Sequence, residues 1–202
     1  MILSTRFSDA LVYAAGLHAQ QHRKVSGEPY LAHLLGVAAI ALQYGADENE
    51  AIAALLHDAV EDQGGPTTRE EIRHRFGPEV VEIVDGCTDA DTTPKPPWHR
   101  RKQTYVQRLR YASASVRLVS AADKLHNVRA LLQQYRLRGE SLWGHFRGGR
   151  DGTLWYYRAV VDALKGSGTT PLVEELQRTV DQLVGLVATA AGPLNESSRD
   201  SC

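Results

Sequence analysis

The chain has 202 residues, 43% of them hydrophobic and 23% charged, a globular composition with enough apolar surface to build a core unaided by disulfides. Lysine and arginine number 23 against 24 acidic residues, and the resulting net charge of −1 excludes reliance on bulk attraction to nucleic acid or acidic lipid. Cys87 and the terminal Cys202 are the only cysteines, which excludes a disulfide framework and fits a reducing compartment. The opening MILSTRFSDALVY lacks a basic stretch followed by an apolar core, and no apolar run approaches the ~20 residues that span a bilayer. The expectation is a soluble, cytoplasmic protein with neither a nucleic-acid nor a membrane partner.

The periodicity is helical almost throughout. A first helix is predicted over 8–22, behind a Ser8/Asp9 cap, with Leu11, Ala14, Ala15 and His18 on one stripe. A largely apolar helix follows over 31–44 and ends at Gly45. A helix over 47–62 begins with an acidic first turn, which favours the positive end of the helix dipole, and stops at Gly64-Gly65-Pro66. Shorter helices are predicted over 67–75, behind Thr67/Thr68, and over 78–86, behind Pro78. Residues 88–97 hold three prolines in the last four positions and read as a loop. Helices over 98–111, 113–135, 153–165 and 171–188 complete the pattern, with a glycine-rich turn at 148–152. The polar residues 191–202 read as a disordered tail behind a single domain of residues 1–190. With no internal repeat and no alternating strand pattern, the fold class is all-α, a single helical bundle.

Three polar insertions interrupt this apolar pattern. In Leu55-Leu56-His57-Asp58-Ala59-Val60-Glu61-Asp62 an apolar run leads straight into a histidine and three carboxylates. On an unbroken helix Asp58, Glu61 and Asp62 share a face, and removing three carboxylates from water is costly without a compensating cation. A divalent metal meets that need; a solvated acidic helix end is the competing reading. In the second insertion Asp123, His126 and Asn127 stand at i, i+3 and i+4, where a lone buried aspartate would otherwise be salt-bridged or capping. The third is His33 in an apolar helix, which alone reads as a hydrogen-bonded core histidine. Two imidazoles and two carboxylates together make a mixed nitrogen and oxygen site, suited to Mn, Fe, Ni or Zn.

These residues carry a resemblance. His33, His57-Asp58 and Asp123 reproduce the H…HD…D signature of the HD-domain metal-dependent phosphohydrolases. Arg23-Lys24-Val25-Ser26-Gly27-Glu28-Pro29-Tyr30-Leu31-Ala32-His33 resembles the RK-x-x-G-x-PY-x-x-H segment of the Rel/SpoT-type (p)ppGpp hydrolases. His57-Asp58-Ala59-Val60-Glu61-Asp62 is similar to their HD-x-x-ED, and Ala122–Arg129 to their AD-[KR]-x-x-N-x-R. The similarity runs from about residue 8 to residue 135, and the length matches the stand-alone small alarmone hydrolases rather than the long multidomain enzymes. The resemblance implies that His33, His57, Asp58 and Asp123 bind one Mn²⁺, and that Glu61 and Asp62 position and deprotonate the attacking water. It implies that Arg23 and Lys24 line the nucleotide site and that Asn127 contacts the nucleotide. The implied reaction removes the 3′-pyrophosphate of (p)ppGpp, giving GDP or GTP.

Other residues are open to more than one reading. Val119-Ser120-Ala121-Ala122 lacks a lysine that the family often carries just before the Asp123 position. Lys95, Arg100, Arg101 and Lys102 are candidate phosphate contacts, with a solvated helix face favoured for most of them. Tyr157, after the glycine turn, is a candidate base-stacking residue, with core packing expected for it or for Tyr156. His18 and His22 have metal-pair spacing but no acidic neighbour, so surface or core is expected; His126 lies on the site face, where it could support a ligand from behind. Two other functions stay open at this stage. One is an HD phosphohydrolase of another nucleotide, such as a nucleoside monophosphate or the 2′-phosphate of NADPH. The other is a non-catalytic nucleotide-sensing module. Pairing of apolar helix faces into a homo-oligomer is likewise open.

Overall fold

The computed structural model describes residues 2–90, 94–166 and 168–190. Its regular elements are helices: α1 (Thr5–Leu17), α2 (Tyr30–Gln43), α3 (Glu48–Leu56), α4 (Ala59–Asp62), α5 (Pro66–Phe76), α6 (Pro78–Cys87) and α7 (Trp98–Leu109). They continue with α8 (Ala114–Arg138), a 3-10 segment (Gly139–His145), α9 (Gly149–Lys165) and α10 (Pro171–Ala190). Among the described residues the extended pairing is confined to a bridge between His22 and Pro29. The all-α expectation stands. The tail expected at 191–202 and residues 91–93 of the proline-rich loop lie outside the described residues. No helix among the described residues is long and apolar enough to cross a membrane.

Local chemistry sets most boundaries. Asp47 and Glu50 form a capping box at the start of α3, and the Ser113 hydroxyl accepts from Val116 N to start α8. Proline opens both α5 and α6, where its missing N–H is no loss. Gly77, at φ +94°, ends α5 and starts α6 in one residue, a conformation that an L side chain would strain. The first helix departs from expectation: its cap is Ser4, not Ser8/Asp9, and the chain leaves helix at Leu17. The Ser4 N–H is itself fixed by Glu48, so a contact from the next layer moves this boundary.

The core surrounds α8, which packs against α2, α3, α6, α9 and α10. Leu34 and Val37 of α2, Leu55 and Leu56 of α3, and Val119, Ala122, Leu125 and Val128 of α8 are fully buried there. This face therefore presents Asp123 to the ends of α2 and α3. On the far side of α8, Leu176 of α10 is fully buried. Leu176→Ala is expected to lower stability by about 2–5 kcal/mol, the loss of buried methyl groups plus a residual cavity. Urea unfolding checks this, as a lower midpoint with an unchanged slope.

Candidate active site

The sequence 47–62 predicts one helix, but the structure breaks it between Leu56 and Ala59. On a continuous helix adjacent residues do not face each other. The break lets the neighbours His57 and Asp58 turn to the same point, with His57 Nε2 3.0 Å from Asp58 Oδ2. His33 arrives from α2, its Nε2 3.6 Å from Asp58 Oδ2 and 3.4 Å from Asp123 Oδ1. His57 Nε2 is 3.7 Å from the same Asp123 oxygen. The ligand-type atoms of His33, His57 and Asp58 all lie within 4.8 Å of one another.

The electrostatics of this cluster fit a cation. Neither His33 Nε2 nor His57 Nε2 has a hydrogen bond of good geometry, although both are buried. An unsatisfied buried polar atom costs about 1–3 kcal/mol, so a ligand for both is the economical arrangement. His57 donates from Nδ1 to the Ala54 carbonyl oxygen at 2.8 Å, which leaves Nε2 directed at the cluster. Burial pushes the His57 imidazole down, but Asp58 and Asp123 outweigh it and hold the imidazole well above its usual range. Burial would raise the two carboxyls, yet His57 beside Asp58, and Lys124 beside Asp123, keep both well below the usual carboxylate range. The proton that holds an imidazole between these two anions is what a divalent ion displaces, leaving both carboxylates in place.

The neighbouring carboxylates diverge. Asp62 accepts from Gln21 Nε2 at 2.8 Å, and burial, reinforced by Asp58, pushes its carboxyl up. Glu61 instead turns to the proline-rich loop, where it accepts from the Asp89 N–H at 3.1 Å and from Lys95 Nζ at 2.8 Å. Arg101 lies 3.6 Å away. The shared face expected for Asp58, Glu61 and Asp62 is therefore divided among three sets of partners.

Residues 22–29 fold back on themselves through Arg23 N–H to Glu28 O and Gly27 N–H to Arg23 O, both 2.9 Å. The turn carries the Arg23 guanidinium to Asn127, where it donates to Oδ1 at 2.7 Å. Asn127 in turn donates to Asp123 Oδ1, so it links Arg23 to the cluster. Lys24 is exposed. Tyr157 is half-buried, and burial, only partly offset by Lys124, pushes its hydroxyl up to about 12. Tyr156 is the core residue of the pair, ringed by Trp98 and Tyr105 and with Lys102 Nζ 4.6 Å above its face.

A solvated face describes Arg100 but not Arg101 or Lys102, which are only 11% and 17% exposed and both donate to Asp89 Oδ2. Where the family often carries lysine, Ser120 is buried and accepts from the Tyr105 hydroxyl at 3.0 Å. Lys124 extends its ammonium over that tyrosine ring and onto Asp123 Oδ2.

Sequence reasoning missed Tyr30, Gln21, Gln63 and Lys124. Tyr30 donates to Asp58 Oδ2 at 2.7 Å and stacks on His18. His18 is buried, with Nδ1 2.6 Å from Gln21 Oε1, and Gln63 donates to the same oxygen at 2.6 Å, which fixes the Gln21 amide toward Asp62. Lys124, the fourth, sits next to Asp123 in the chain. Tyr30 stands three residues before His33 on the same helix, a spacing that could have revealed it.

The HD domain family matches this chain over residues 10–154. The guanosine-3′,5′-bis(diphosphate) 3′-pyrophosphohydrolase of Xenopus tropicalis is 43% identical over 126 residues, covering 61% of this chain and 68% of that protein. The Drosophila melanogaster protein of the same description is 34% identical over 167 residues, covering 81% of this chain and 87% of its own. Among solved structures, a metazoan orthologue of SpoT described as hydrolysing ppGpp superposes with a TM-score of 0.76 at 31% identity. That match covers 90% of this chain and 97% of the other. The chain belongs to the HD-domain family and, within it, to the hydrolases of the Rel/SpoT type.

Proposed function

We propose that this protein hydrolyses (p)ppGpp with the aid of Mn²⁺, water entering at the 3′-pyrophosphate so that ppGpp gives GDP and pyrophosphate. The observation that carries the reading is the convergence of His33, His57, Asp58 and Asp123, with two buried Nε2 atoms unpartnered, immediately before the acidic pair Glu61/Asp62. The relatives named for the same reaction supply the substrate class. The donors of the cluster are nitrogen and oxygen without thiolate, a set that accepts Mn²⁺.

In this reading His33, His57, Asp58 and Asp123 hold the ion. When bound, it supplies Lewis acidity that lowers the pKa of water and polarises a phosphoryl oxygen. Asp62, whose carboxyl is pushed toward the working range by burial, takes the proton of the attacking water, and Gln21 fixes its orientation. Glu61 steadies the loop that bears Lys95. Arg23, Lys24 and the inward-facing Lys102 and Lys124 supply positive charge where the phosphates gather. Asn127 contacts the nucleotide, and Tyr157 offers a ring face to the guanine. Residues 1–190 act as one catalytic unit, and a cytoplasmic setting supplies the nucleotide.

The test is metal-stripped protein reloaded with Mn²⁺, incubated with ppGpp, with products separated by ion exchange. GDP and pyrophosphate in equal amounts are expected. Turnover of NADPH with none of ppGpp would keep the metal site and move the substrate; nucleotide binding without product would replace catalysis by sensing.

A further inference from the structure

We infer that His126 is a positioning residue for metal binding: it accepts the His33 Nδ1 proton and so frees His33 Nε2, a contact for which Gly36 provides the room. The inference rests on the metal reading of His33, His57, Asp58 and Asp123.

The two imidazoles of the cluster are held in different ways. His57 Nδ1 faces a backbone carbonyl, which can only accept, so the fold itself keeps the proton on Nδ1 and the lone pair on Nε2. His33 has another imidazole in that place. Its Nδ1 is 2.9 Å from His126 Nδ1, and the ring centroids are 4.8 Å apart. Between two such nitrogens one proton is shared, and either ring can supply it. If His126 donates, a neutral His33 carries its own proton on Nε2, pointing at Asp58 and Asp123, and cannot ligate. If His33 donates, Nε2 is free. A metal ion therefore requires the second arrangement, and an acceptor at His126 is what makes it available.

The approach of the two rings depends on a residue of α2 that has no side chain. A Cβ at position 36 would lie 2.3 Å from both Cδ2 and Nε2 of His126. The helix has an ordinary right-handed backbone there, so the requirement for glycine is one of space and not of conformation. Any larger residue drives the His126 ring out of line with His33.

Mn²⁺ affinity of the metal-stripped full chain, measured by competition with a chromophoric chelator, tests this without reference to turnover. His126→Leu removes the acceptor and is expected to weaken Mn²⁺ binding about 10- to 100-fold, the usual cost of losing the hydrogen bond behind a ligating histidine. His126→Asn, which restores an acceptor oxygen, is expected to recover most of that loss. Gly36→Ala, which touches no ligand, is expected to reproduce the His126→Leu defect. The double variant is expected to be no worse than either, because both remove one contact.

At saturating Mn²⁺ the kcat of His126→Leu returns toward that of the parent, since the acidic pair is untouched. Parent-like affinity in His126→Leu, failure of asparagine to rescue, or additive losses in the double variant would each overturn the inference. Should Gly36→Ala not fold, the leucine and asparagine variants decide it. Asp58→Ala, measured alongside, separates the two levels. If it binds Mn²⁺ like the parent, the site assignment fails; if it does not bind while His126→Leu binds normally, only the role of His126 fails.

Discussion

Replacement of Asp58 by alanine is expected to abolish metal binding and turnover together. Asp58 meets His57 at 3.0 Å, His33 at 3.6 Å and the Tyr30 hydroxyl at 2.7 Å, so no other carboxylate can stand in for it. Without it the cluster loses one of two anions, and the imidazoles are left with Asp123 alone. Lewis-acid stabilisation is worth several kcal/mol and each ~1.4 kcal/mol is tenfold in rate, so the fall in kcat/KM is at least about 10³-fold. Chelation of the parent is expected to give the same loss, reversed by Mn²⁺. Metal content by atomic absorption, read beside turnover, checks both. An Asp58→Ala protein that retains one metal per chain would remove Asp58 from the ligand set.

Asp62→Asn is expected to behave differently, keeping metal while losing about 10²- to 10⁴-fold in kcat, the range of a general base. The amide preserves the shape of the side chain and its contact with Gln21 but cannot take a proton. Glu61→Gln is expected to cost less in kcat and more in KM, because Glu61 is committed to Asp89 and Lys95 on the loop ahead of α7. Steady-state kinetics of the two variants at saturating Mn²⁺ separate these roles. Equal losses in kcat, with KM unchanged, would make the acidic pair a single functional unit instead.

Much of the helical frame was legible because apolar spacing and caps are local. The starts at Asp47, Pro78 and Ser113 are each set by side chains within a few residues of the boundary, whereas α5 begins at Pro66, ahead of the Thr67/Thr68 expected to cap it. The motif residues were legible too, since polar groups on an apolar stripe demand a reason. The interruption at His57–Asp58 was not, because ENEAIAALLHDAVED is helical by every local measure and only the partners of Asp58 explain it. Gln21 with Asp62 and Tyr30 with Asp58 are 41 and 28 residues apart, beyond any window of periodicity. Spacing puts His126 on the site face, but its contact with His33 requires α2 and α8 side by side.

The glycines at 148–152 show the same limit. Their composition predicts a turn, yet Gly149 through Gly152 form the first turn of α9. A Cβ at Gly148 would lie 2.6 Å from the Trp98 ring, and one at Gly152 3.2 Å from it. Trp98 begins α7, the helix that carries Arg101, Lys102 and Tyr105, and its indole lies on bare backbone some fifty residues away. Growth at 148 therefore draws on volume that the Trp98 ring occupies, and growth at 152 presses on the same ring. A lineage that acquires alanine at 148 must trim the ring at 98 or shift the basic helix off its seat. The evolutionary freedom of the basic rim is in this way governed from a place that touches neither metal nor nucleotide.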